Sequence, residues 1–175
     1  MLISNATTIF FDFDGVIKDS VRVKSEAFEK LFSSFGDKAS KKVRRHHESN
    51  GGMSRFEKIP IYLEWVNLPS TPIVVGKFSN EFSKLVMQKV IDSEWVPGVL
   101  NFIENNYKIK NLFIVTATPQ SEIEEIINRI GIAKCFKKII GSPTNKSDAV
   151  SSIVDKFNIN INKSIMIGDS ITDHK

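Results

Sequence analysis

Short apolar runs and helix-spaced apolar positions alternate at both ends of this chain but not in the stretch between. Residues 7–11, 112–115 and 164–167 are brief apolar runs that end in polar or turn-forming residues, as buried strands do. Residues 99–107, 119–130 and 145–157 carry the spacing of helices. Strand-helix-strand alternation predicts an α/β fold with a parallel sheet and helices on its faces. Between about 20 and 92 no strand-like run stands out. Ala27, Phe28, Leu31 and Phe32, then Phe78, Phe82, Leu85 and Val86, fall at helical intervals there. The pattern therefore predicts a helical unit, 20–92, inserted into a discontinuous core made of 1–19 and 93–175, with Trp95-Val96-Pro97-Gly98 punctuating the return.

The chemistry sits where the apolar runs stop. Asp12-Phe13-Asp14-Gly15 follows the first run, and period-two alternation points both carboxylates the same way, while Gly15 lets the chain turn close to a ligand. Two neighbouring carboxylates repel unless a cation or a shared proton intervenes, so the pair implies a hard metal such as Mg²⁺ or an acid/base couple. Alone, the same string reads first as a turn, and partners downstream must decide. The second run ends in Thr116-Ala117-Thr118-Pro119. Thr118 before a proline suits a helix N-cap, which leaves Thr116, at the end of the strand, to touch a substrate. The last run ends in Gly168-Asp169-Ser170-Ile171-Thr172-Asp173, and Lys146 follows Gly141-Ser142-Pro143-Thr144-Asn145. Within the insertion, Asn50-Gly51-Gly52-Met53-Ser54-Arg55 reads as a tight loop entering a helix, where backbone N–H groups face an anion. Arg55 there either clamps a carboxylate or phosphate of the substrate or pairs with Glu57 or Glu48 on the surface.

Taken together, and over nearly the whole chain, these residues resemble the haloacid dehalogenase superfamily of phosphotransfer enzymes. Asp12 and Asp14 match its first motif, Thr116 its second, Lys146 its third, and Asp169 with Asp173 its Gly-Asp-x-x-x-Asp fourth. The resemblance implies a Rossmann-like parallel-sheet core with an inserted α-helical cap, of the kind that relatives of β-phosphoglucomutase and phosphoglycolate phosphatase carry at this point. It implies a Mg²⁺-dependent phosphatase acting on a small phosphorylated metabolite, of the sugar phosphate or phosphoglycolate type, through an aspartyl-phosphate on Asp12. Asp14 would be the acid/base, and Thr116, Ala117 and Lys146 would hold the phosphate. Mg²⁺ would sit among Asp12, Asp14, Asp169 and Asp173. The Gly-x-Ser-Arg string resembles a cap specificity loop, which assigns Ser54 and Arg55 to the substrate. Lys24 falls where the related mutase carries a histidine, and a lysine is a poorer proton shuttle near neutral pH. A phosphomutase is therefore the alternative, with a non-catalytic remnant or binding module as a third reading. Family members continue past the fourth motif into a helix and a further strand, whereas this sequence ends at His174-Lys175. The expectation is a C-terminal end of the core that is truncated, leaving 164–167 as an exposed edge strand.

Composition narrows the picture without changing it. At 175 residues with 41% apolar content, the chain can fill one core and a small inserted unit. A net charge of +4 favours anionic partners, but Lys38, Lys41, Lys42, Arg44 and Arg45, followed by His46 and His47, lack the interleaved aromatics of a single-strand platform. That run predicts a solvated helix face, not a nucleic-acid site, and adjacent histidines cannot share a helical face to hold a metal. Cys135 is the single cysteine, which excludes an intrachain disulfide and zinc-type spacing. No apolar run suits a membrane span or a signal peptide, so a cytoplasmic protein is expected.

Overall fold

The computed structural model describes residues 3–170, so Asp173 lies outside the described residues. Four parallel strands form one sheet in the order β3-β2-β1-β4: β1 is Thr8–Phe11, β2 Asn111–Pro119, β3 Lys138–Ser142 and β4 Ser164–Ile167. Thr8 pairs with Asn111 on one side and Ser164 on the other. Alternate residues of β1 serve opposite faces. Ile9 and Phe11 enter the larger apolar cluster, while Phe10 joins Phe113, Val115, Ala149 and Ile153 beneath α7 (Lys146–Phe157). Phe10 and Phe113 stack with centroids 5.3 Å apart. Burial on both faces is why β1 reads as a continuous apolar run instead of an alternating one. β3 has no counterpart in the sequence reading. It is a short strand at one edge of the described sheet, and its two isoleucines, Ile139 and Ile140, are only half-buried.

Helices α1 (Val21–Leu31), α2 (Asp37–Ser49), α3 (Arg55–Trp65) and α4 (Pro72–Asp92) follow β1, and α5 (Val99–Asn106) leads into β2. The helices α1 to α4 thus occupy the stretch between 20 and 92. Its apolar faces meet through aromatic rings: Phe28 lies 4.0 Å from Phe82 and 5.4 Å from Tyr62, centroid to centroid. These residues belong to the same cluster as Phe11 of β1, Phe13 and Ile17 just after it, Leu112 of β2, and Ile123.

The basic run is α2, and Lys38, Lys41, Lys42 and Arg45 are exposed as expected. His47 departs from that expectation. With Ser40 and Val43 it forms the buried face of α2, at intervals of three and four residues, and packs on Phe28 with centroids 4.8 Å apart. Among the described residues, no helix is long and apolar enough to cross a membrane.

Candidate active site

The carboxyl ends of β1 and β2 open into a cavity of about 460 Å³, closed on the far side by α1, α2 and α3. Asp12, the first residue after β1, is buried and held in place. Its N–H donates to the Ile167 carbonyl (2.9 Å), its Oδ1 accepts from Phe13 N (2.6 Å), and Lys146 Nζ reaches its Oδ2 (2.5 Å). Lys146 arrives from the first turn of α7, which Asn145 caps by accepting from Asp148 N at 2.8 Å. At Gly15 the chain takes φ +73°, and a Cβ there would overlap the Asp169 carboxylate. Glycine is required at this point because Asp169 closes in on the loop that carries Asp14. Asp12, Asp14, Thr116, Ala117 and Asp169, five of the residues predicted from the motifs, all line the cavity.

Thr118 does not cap a helix. β2 continues through it to Pro119, and α6 (Gln120–Arg129) begins only afterwards. Opposite β3, Val115 pairs with Ile140 and Pro119 with Ser142, so Thr116–Thr118 form a bulge. Bulges re-aim side chains beside active sites. The strand is stabilised across the irregularity by Gln120, which accepts from Gly141 N (2.6 Å) and donates to the Ile139 carbonyl (3.1 Å). The Thr118 hydroxyl is turned inward, donating to Asp14 Oδ2 (3.2 Å) and accepting from Lys24 Nζ (2.8 Å).

Three side chains converge on Asp14. Ser20 donates to its Oδ1 (2.5 Å), and Lys24 and Thr118 both reach its Oδ2. Burial is the largest influence on its carboxyl and pushes the pKa up, but the Lys24 charge and the three hydrogen bonds outweigh it and hold the group below its ordinary 3.8. A depressed folded-state pKa contributes stability that is present above the ordinary value and lost as pH falls through the folded one. Lys24→Met should reverse the sign. Burial would then be opposed only by Ser20 and Thr118, the carboxyl would rise above its ordinary value, and the variant should lose stability relative to wild type as pH climbs from about 4 towards neutrality. Melting temperatures of both proteins between about pH 3 and 8 test this, and parallel curves would show that Lys24 does not govern Asp14.

On the opposite wall, Arg55 does not reach Glu57 or Glu48. Its guanidinium forms a bidentate pair with Glu122 of α6 (2.9 and 2.5 Å), and Ser83 of α4 bonds to both partners (2.6 and 2.7 Å). The same guanidinium lies over the Phe82 ring at 4.6 Å. The group expected to hold a substrate anion is therefore engaged by the protein's own carboxylate. Ser54 is the N-cap of α3, its N–H donating to Glu57 Oε2 (3.0 Å) in a capping box, and it does not line the cavity. One turn further along α3, Lys58 is buried against His47, Nζ to Nδ1 2.9 Å. Burial, reinforced by the Lys58 and Lys24 charges, drives His47 down to about 3, so its ring is neutral at physiological pH. Thr118, His47, Lys58 and Glu122 were not among the sequence-derived site residues.

The donors present suit a hard cation. Among the described residues no three acidic, histidine or cysteine side chains converge tightly enough to hold a metal unaided. A Mg²⁺ ion would rely instead on the Asp12 and Asp169 carboxylates, the Asp14 main-chain carbonyl, and oxygens of substrate and water, a set that is all oxygen as this ion requires.

Residues 9–175 match the sequence profile of haloacid dehalogenase-like hydrolases. A phosphorylated carbohydrates phosphatase from Thermotoga maritima is 25% identical over 170 residues, which span 93% of this chain and 76% of that protein. Among solved structures, β-phosphoglucomutase from Clostridium difficile matches with a TM-score of 0.73 at 22% identity, covering 96% of this chain and 79% of the other. A candidate phosphoglycolate phosphatase from Lactobacillus plantarum matches with a TM-score of 0.72 at 16% identity, covering 97% and 80%. At such identities the structural likeness is one of fold.

Proposed function

We propose that this chain, which belongs to the haloacid dehalogenase-like hydrolase family, is a Mg²⁺-dependent phosphatase of small phosphorylated metabolites that works through an aspartyl-phosphate. The observation that carries the reading is the placement of Asp12, bonded to Lys146, beside Asp14 and the Thr116–Thr118 bulge at one end of a parallel sheet, where open α/β folds bind ligands. The name of the Thermotoga maritima relative supports a phosphorylated carbohydrate as substrate. Helices α1–α4 act as the cap of a core made of 1–19 and 93–175.

An Asp12 carboxylate oxygen attacks phosphorus, and the P–O bond to the leaving group breaks as that oxygen takes a proton from Asp14. Water then gives a proton to Asp14 and attacks the same phosphorus, releasing inorganic phosphate and restoring Asp12. Lys146 places positive charge beside Asp12 and the phosphoryl oxygens, and the Thr116 hydroxyl and Ala117 N–H donate to those oxygens. Bound Mg²⁺ supplies the further charge neutralisation that lets an anionic carboxylate approach an anionic ester. Lys24 keeps Asp14 ionised, as water activation needs. For the first step Asp14 must carry a proton, and loosening its contact with Lys24 leaves burial to raise its pKa.

A panel of phosphorylated sugars and phosphorylated small acids, assayed with Mg²⁺, after EDTA, and after Mg²⁺ is restored, tests the proposal. Phosphate release that stops with EDTA and returns with Mg²⁺ is expected. Release indifferent to chelation would remove the metal from the mechanism, and no release from any ester, p-nitrophenyl phosphate included, would remove the phosphatase.

A further inference from the structure

The cations in and beside the cavity differ in their partners. Lys146 is bonded to Asp12, Lys24 to Asp14, and Arg55 to Glu122. Lys58 also lines the cavity, is 1% exposed, and has no carboxylate in ion-pair contact among the described residues. One of its three N–H donors meets His47 Nδ1, and the other two have no hydrogen-bond partner among those residues. A buried ammonium so placed is costly unless an anion reaches it. Its position is also fixed. Lys58 sits on α3 between Arg55 and the buried Ile59 and Tyr62, and the His47 ring that holds its Nζ is itself packed on Phe28.

We propose that Lys58, positioned by His47, receives a second anionic group of the substrate, so that the preferred substrate is a phosphomonoester bearing a further carboxylate or phosphate, and not the monophosphate of a neutral sugar. This rests on the phosphatase reading for the end of the substrate held at Asp12, with Lys58 facing the other end from the cap wall of the same cavity. Arg55, bonded to Glu122, leaves that task to Lys58. The charges that act on Lys58 agree with the assignment. Burial and the Lys24 charge, countered only in part by Asp14 and Glu57, lower its pKa to about 7, so an arriving anion would restore its full charge. Asp14 is already neutralised by Lys24, and Glu57 is committed to the Ser54 N–H.

Binding can be read without turnover. Calorimetry in the presence of Mg²⁺ would compare methylphosphonate, phosphonoacetate and ethylene-1,2-bisphosphonate, which share one phosphonate and differ in carrying no further anion, a carboxylate or a second phosphonate. Wild-type protein is expected to bind one of the dianionic probes at least about ten-fold more tightly than methylphosphonate, as one charge-assisted hydrogen bond allows. Whichever probe shows the gain identifies the second group. In Lys58→Met the preference should fall below about two-fold while the melting temperature is maintained or rises, since a buried cation has been replaced by an apolar chain of similar length. Equal binding of all three probes by wild type, or a preference that survives in Lys58→Met, would overturn the proposal. Failure of the phosphatase reading looks different: no ester is hydrolysed, whatever the probes do.

Discussion

Asp12→Asn protein is expected to fold and to lose at least about four orders of magnitude in kcat, the scale on which removal of a catalytic nucleophile acts. The amide keeps the shape of the carboxylate and its single oxygen can still accept from Phe13 N, so the loop after β1 keeps that anchor, while the NH₂ that replaces the other oxygen gives up the bond to Lys146 Nζ. What disappears is the attacking charge. Acid-quenched wild-type protein given labelled substrate should retain phosphate in a base-labile bond, and the variant should retain none. Retention of more than about a tenth of wild-type kcat would be too small a loss for a nucleophile and would exclude the aspartyl-phosphate route.

The second large effect falls on stability. Arg55 and Glu122 have side chains only 4% and 5% exposed, so removing one leaves the other charged, buried and unpaired. Arg55→Ala should cost about 3–5 kcal/mol of unfolding free energy, and Glu122→Gln a comparable amount. Arg55→Met combined with Glu122→Leu should recover most of it, because an apolar pair of similar volume avoids desolvating two charges. Urea titrations of the three variants decide the matter. Were Arg55→Ala to unfold like wild type and instead raise KM for the ester, the guanidinium would be a substrate clamp, as its place in the Gly-x-Ser-Arg string suggests, and Glu122 only its resting partner.

These two residues mark how far the sequence carries. Asp12, Asp14, Thr116, Lys146 and Asp169 are legible because each lies at or just beyond the end of a local pattern: a polar residue where an apolar run stops, or a lysine where a helix starts. Arg55 was legible as a functional candidate, but its partner was not. Glu122 is 67 residues away, on a helix that packs against α4 and meets the start of α3 through this ion pair, a meeting no local spacing encodes. Thr118 misled because a threonine before a proline satisfies a helix cap as readily as a strand end, and only the pairing with β3 reveals the bulge. Lys58 left a detectable trace. It shares the buried face of α3 with Arg55, Ile59 and Tyr62, at intervals of three and four, and a lysine on such a stripe is either snorkelling or functional. β3 escaped because its apolar content is too small to stand out at the edge of the sheet.

The aromatic cluster joining α1, α3 and α4 to the residues after β1 also limits how the molecule can breathe. Phe28, Tyr62 and Phe82 share one continuous apolar mass with Phe11, Phe13 and Ile17. Swinging the helices away as a rigid flap would wet that mass, at a cost of about 2.5 kcal/mol for every 100 Å² uncovered. Any opening is therefore expected to be a partial parting at the rim where Gly51 approaches Ser170, where little apolar surface is at stake. With one apolar mass shared between these helices and the sheet, the protein should melt in a single transition.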